Sequence, residues 1–191
     1  MASLTWQEFL TQSRQFLRMS QHLNDKWELY EKVMPFSRDS KSYRQIYNLN
    51  MSLQNQEEPN IFLKFSQKVR SKEDLINVEY HIVYSVSYQV PMLYFQAHRS
   101  DGSLLDLEAT WRLLMLEFQS RREELLQMLT QQEHPVLFRP FMALHPCRTA
   151  EVLDQFGQKS ENLVLTFISL YGPHVQLQLS NGYGNSELLK L

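Results

Sequence analysis

The only cysteine in the sequence, Cys147, sits in the run His145-Pro146-Cys147-Arg148-Thr149. Free cysteines usually pack as small buried hydrophobes. Here a proline precedes the thiol, an arginine follows it, and the pattern predicts a helix starting at Thr149. Helix N–H groups and nearby positive charge lower a thiol's pKa, so the run reads as an exposed, activated thiol. His145 stands two residues upstream and, in extended chain, on the same side. Its imidazole could donate to an oxyanion or assist an incoming amine.

Spacing tests the other chemistries open to a cysteine. Position 153, where a tyrosine-phosphatase loop would need its arginine, is Leu153, and no glycine lies between it and Cys147. Zinc would need four ligands; His145 and Cys147 supply two and His134 is the only other nearby candidate, so a metal is not expected. A papain-like hydrolase would need a partner histidine and a third polar residue, and no cysteine-leading motif of that kind is present, which leaves a thiol hydrolase as a minor alternative.

The elements that must hold this run follow from periodicity. Thr5 and Glu8 form a capping box ahead of Trp6, Phe9, Leu10, Phe16 and Leu17 at helical spacing, which predicts a helix over 6–20. Alternation predicts strands from Trp27 to Val33 and around Tyr47, Leu49 and Met51, with loops at 54–60 and 71–74. Over 78–90 one long strand is expected, with Tyr80, Tyr84 and Tyr88 on one face. Pro91 is expected to interrupt it before a second strand at 92–97 and a turn at 100–103. Helical spacing then runs from Leu107 to about residue 129, 136–144 is extended, and short helices are expected at 149–156 and 163–171, the latter capped by Ser160. The tail over 180–191 is expected to be mobile. Helix, strands, then helices implies one α+β domain over 1–191, an antiparallel sheet at about 27–99 with helices packed on one face. The catalytic loop would span about 134–148, followed by C-terminal helices at 149–171.

Composition narrows the class. At roughly 150 residues per domain, 191 residues make one domain with extensions. Lys+Arg 19 against Asp+Glu 21 gives a net charge of −2, without the basic field that phosphate backbones attract, so nucleic acid is not an expected partner. The first twenty residues carry charges among the apolar positions, and the most apolar later stretch is about half a bilayer span, so neither secretion nor a transmembrane segment is expected. One cysteine without a disulfide partner fits a reducing, cytoplasmic compartment.

The stretches EYHIVYSVSYQVPMLYF and DGSLLDL, then TQQEHPVL, LHPCRT and ISLYGPHVQL, in that order over residues 78–178, resemble the autophagy-related protein 10 family, the E2-like conjugating enzymes of autophagy. The autophagy-related protein 3 family also carries HPC, but in a longer chain with an acidic insertion that has no counterpart here. The resemblance implies an E2-like fold in which Cys147 accepts autophagy-related protein 12 as a thioester from the E1-like autophagy-related protein 7. The modifier would then pass to a lysine of autophagy-related protein 5, with no cofactor in this chain. The reading from a different class is an E2-like module that only binds partners. Ubiquitin-conjugating enzymes place an oxyanion-stabilising Asn in an HPN motif upstream of the cysteine; the nearest string here is His134-Pro135-Val136, with valine in its place. His145 is one candidate to supply the missing contact. Tyr84, on the long strand with Tyr80 and Tyr88, resembles the family's active-site tyrosine and is the other.

Overall fold

Thr5 and Glu8 do close a capping box: the Thr5 hydroxyl accepts the Glu8 N–H at 3.2 Å and the Glu8 carboxylate accepts the Thr5 N–H at 2.7 Å. Two backbone donors are thereby satisfied, and helix α1 (Trp6–His22) follows, burying Phe9, Phe16 and Met19. The computed structural model of the chain describes residues 3–32, 61–71, 75–114, 129–156, 159–185 and 187–188. After α1 come β1 (Glu28–Glu31), β2 (Ile61–Arg70), β3 (Leu75–Ser85) and β4 (Val90–His98). Helix α2 (Leu107–Leu114), β5 (Leu129–Glu133), β6 (Pro140–Leu144), α3 (Thr149–Asp154) and α4 (Leu163–Tyr171) complete the order. All strand pairs are antiparallel, and the sheet runs β1-β2-β3-β4-β6-β5. The α+β expectation, with helices against one face of an antiparallel sheet, holds.

Strand alternation divides the apolar residues between two layers. Tyr80, Ile82, Leu93 and Phe95 face α1 and α4 in one core with Phe9, Phe16, Phe167 and Ile168. Fully burying a Phe or Leu contributes roughly 1.5–3 kcal/mol. On the other face Phe62, Val83, Met92, Tyr94, Phe141 and Ala143 form a smaller core closed by Val136 from the 134–139 hairpin between β5 and β6. Lys32 ties that hairpin down, its ammonium donating to the Val136 carbonyl at 2.9 Å and lying over the Phe138 ring.

Beneath the hairpin is a buried polar chain. His134 Nδ1 accepts the N–H groups of Val136 and Leu137, each at 3.2 Å. The ring's proton must then sit on Nε2, which faces His81 Nδ1 at 3.1 Å and donates to it. His81 Nε2 reaches Glu79 Oε1 at 3.1 Å in a bent contact, and Glu79 Oε2 meets the Lys64 ammonium at 2.6 Å. Burial pushes His134 down to about 3, with His81 and Arg139 acting in the same sense. Burial also lowers His81, against the Glu79 contact, while that contact with His81, aided by Lys64, holds Glu79 down to about 2.

Several sequence expectations are corrected. The strand over 78–90 stops at Ser85; residues 86–89 form a turn, closed by the Gln89 N–H donating to the Ser85 carbonyl at 2.7 Å. Gln89 takes a left-handed φ of 54° there. Pro91 lies within β4, opposite Tyr84, and beyond the stretch of β4 that pairs with β6 at Tyr94 and Phe95. Its missing N–H therefore costs no bond on that side. The helix expected to reach about 129 is seen over Leu107–Leu114, Leu129 itself opens β5 opposite Leu144, and residues 115–128 lie outside the described residues. Helix α4 is capped by Asn162, whose side chain accepts the Leu165 N–H at 2.8 Å, and not by Ser160. The sheet also extends past 99 to include β5 and β6. Within the tail expected to be mobile, Tyr183 is buried, stacks on Phe16 at 5.1 Å and donates its hydroxyl to Asp25 at 2.9 Å. The strand expected around Tyr47 and the loop at 54–60 lie outside the described residues.

Candidate active site

Strand β6 delivers the chain directly into the run that holds Cys147. After Leu144, His145 is still extended (φ −65°, ψ 129°), and Pro146–Arg148 form one 3-10 turn. Proline's fixed φ suits the first position of such a turn, where its missing N–H goes unused. The thiol is free and exposed. His145 caps the turn: its Nδ1 accepts the Cys147 N–H at 3.2 Å. An Nδ1 that accepts leaves the neutral ring's proton on Nε2, so the free edge of the imidazole is a donor. The same bond occupies the Cys147 amide and leaves it poorly placed to donate elsewhere.

Behind the turn, Thr149 opens α3 and is buried. Tyr171, from the end of α4, is raised above a phenol's usual range by burial, with Cys147 acting in the same direction and a hydrogen bond with Thr149 opposing it. Arg148 is exposed and lies 3.9 Å from Glu151, one turn along. An exposed pair at that distance contributes little to stability.

The tyrosine that meets this site is Tyr88, not Tyr84. The Tyr88 ring stands edge-on to the His145 imidazole at 5.8 Å and 78°, and 44% of Tyr88 is exposed. Tyr84 is buried between Trp6 and Phe9 at 5.6 and 5.5 Å and gives its hydroxyl to the Leu4 carbonyl at 2.6 Å. Tyr84 is therefore committed to the α1 side of the sheet. A signal for Tyr88 was present in the sequence: two adjacent antiparallel strands with nothing between them require a turn, and 78–97 offered room for one only near 86–90. Alternation that continues through Val86 and Tyr88 concealed it.

The His134-Pro135-Val136 string is not beside the thiol. It forms the hairpin at the start of β6, whereas Cys147 follows the end of that strand, five residues or roughly 17 Å away at 3.3 Å per residue. Val136 is buried in the second core, so valine there fills a packing position. Among the described residues no cluster of three or more metal-ligating side chains is present, and no helix is long and apolar enough to cross a membrane.

Compared with known proteins, residues 8–181 match the family described as autophagocytosis associated protein, active-site domain. The chain is 40% identical over 123 residues to a human protein named ubiquitin-like-conjugating enzyme ATG10, covering 59% of this chain and 54% of that one. It is 38% identical over 85 residues to a protein of the same name from Arabidopsis thaliana, covering 44% of this chain and 38% of that one. A third protein so named, from Dictyostelium discoideum, is 30% identical over 121 residues, covering 55% of this chain and 53% of that relative. The chain spans about half the length or less of these relatives, all of which bear the name that the resemblance pointed to. By this match the chain belongs to the autophagocytosis associated protein family, through its active-site domain.

Proposed function

We propose that this protein is an E2-like enzyme that carries a ubiquitin-like modifier as a thioester on Cys147 and passes it to a lysine. The observation that supports this most is an exposed thiol on a capped one-turn element, with a histidine donor edge and a partly exposed tyrosine beside it. A module that only bound partners would need neither the open thiol nor the ordered polar groups around it.

In loading, the Cys147 thiolate attacks the thioester that joins the modifier's C-terminal carbonyl to the activating enzyme's cysteine. The new C–S bond forms and that enzyme's thiolate leaves. In discharge, a lysine amine attacks the same carbonyl, an oxyanion forms, and collapse breaks the C–S bond to leave the amide, the amine's proton passing to the departing Cys147 sulfur or to water. The His145 Nε2–H and the Tyr88 hydroxyl are the two donors assigned to the oxyanion, work that the occupied Cys147 amide leaves undone. From the resemblance to the autophagy-related protein 10 family, the modifier is autophagy-related protein 12, the donor autophagy-related protein 7 and the acceptor autophagy-related protein 5, met in the cytoplasm. Cys147→Ser tests the nucleophile: it should lose transfer yet trap an oxyester, since serine keeps an attacking oxygen but is a far poorer leaving group. Wild-type turnover by this variant would overturn the assignment.

A further inference from the structure

Tyr84, whose hydroxyl is taken up by the Leu4 carbonyl, is joined to the site by another route. Its hydroxyl donates to the Leu4 carbonyl at 2.6 Å, and the Leu4 N–H donates to the Gln89 carbonyl at 2.7 Å. Leu4 is itself buried in the helix-side core. The two faces of one residue's backbone thus bridge the end of β3 to the far side of the 86–89 turn. Within that turn the Gln89 N–H donates to the Ser85 carbonyl at 2.7 Å and the Tyr88 N–H makes a long 3.4 Å contact with the Ser85 hydroxyl, while Val86 packs on the helix-side core and the Ser85–Val90 pair closes the ladder at its base. It also holds Gln89 at a φ of 54°, a region that residues bearing a side chain seldom occupy without outside help. Tyr88, the residue before Gln89, is the one whose ring meets His145.

We propose that Leu4 and Tyr84 form a clip that sets the 86–89 turn and so holds Tyr88 against His145, which makes Tyr84 a positioning residue for discharge. The idea rests on the thioester reading for its catalytic consequence, though not for the clip itself. Because Trp6 and Phe9 of α1 pack on the Tyr84 ring, the clip also couples the start of that helix to the site. A partner that moved the segment before α1 would therefore change where Tyr88 sits without touching Cys147.

Two substitutions open the clip from opposite ends in the full chain. Tyr84→Phe keeps the buried ring and removes the bond to Leu4; Leu4→Pro removes the N–H that holds Gln89. The first readout needs no activity: the NMR shifts of the His145 ring protons, which carry the ring current of Tyr88, calibrated by Tyr88→Ala. The clip predicts that both variants move those shifts toward the Tyr88→Ala values, while resonances of Phe16 and Tyr183 stay in place. The second is single-turnover kinetics. Discharge by Tyr84→Phe should slow about fivefold to tenfold, the scale of one lost hydrogen bond, with loading unchanged and no further slowing when Tyr88→Phe is already present. His145 shifts that ignore both clip variants overturn the proposal, even if transfer chemistry is intact. Shifts that move while no variant, nor the wild type, forms a thioester uphold the clip and reject the enzyme reading instead. Equal slowing by Tyr84→Phe with and without the Tyr88→Phe background would place Tyr84's effect outside the turn and overturn the positioning role.

Discussion

The chain of contacts from His134 through His81 and Glu79 to Lys64 makes a quantitative demand on stability in acid. Both imidazoles are buried neutral, and His134 has no nitrogen left to take a proton without giving up the Val136 and Leu137 amides. The unfolded chain protonates this histidine near its ordinary 6.5, whereas the folded chain resists until about 3. Between those values the unfolded state binds more protons, so stability is complete above pH 6.5 and falls as the pH falls toward 3. Each pH unit per proton is 1.36 kcal/mol, so from pH 7 to pH 5 His134 alone removes about 2 kcal/mol. His81, lowered in the same direction, adds to that, and Lys64, Tyr94 and Arg139 stand around the pair as further charged or titratable neighbours. His134→Asn isolates the effect, because a carboxamide oxygen can still accept the two loop amides but does not titrate. Urea unfolding at pH 7, 6 and 5 should find the variant less stable at pH 7 and about 2 kcal/mol less sensitive to acid than the wild type. Parallel pH dependences for the two proteins would refute the assignment of His134 as a buried neutral acceptor.

At the turn that holds Cys147, His145→Asn retains an oxygen that can cap the Cys147 N–H but loses the Nε2–H, so loading should persist. Discharge should fall on the order of a hundredfold, as on loss of one oxyanion donor; single-turnover rates measured separately for the two steps decide it, and equal loss in both would assign His145 to structure alone. In the helical layer, Asn162 caps α4 and also donates to the Gln12 carbonyl and the Gln15 side chain, each at 2.9 Å. Asn162→Ala should therefore destabilise by about 1–2 kcal/mol in urea melts, with m unchanged.

The parts that were legible in the sequence are those governed by local rules. The capping box at Thr5 and Glu8, the alternation that makes β3 and β4, the 100–103 turn and the stripe of α4 all depend on neighbours within a few residues. Cys147 was found by its neighbours in the same way. What was missed depends on contacts distant in sequence. Val86 and Tyr88 continue the apolar rhythm of β3 and mask the turn, and the bond that fixes its far side comes from Leu4, over eighty residues away. Tyr84 and Tyr88 share a periodicity, so their different fates are decided by Leu4 and His145, which no spacing could pair. His134-Pro135-Val136 looked like an active-site string until β6 separated it from the thiol. Tyr183 belonged to a polar tail and is held by Phe16 and Asp25, again from the far end of the chain.

The claim on which the rest depends is that Cys147 carries a modifier. Intact mass spectrometry of the wild-type chain after incubation with activating enzyme, ATP and the ubiquitin-like modifier tests it most directly. One adduct should appear, mapped to the peptide containing Cys147, removed by thiol reductant and absent from Cys147→Ala. No adduct, or one that survives reductant or persists in Cys147→Ala, would contradict it.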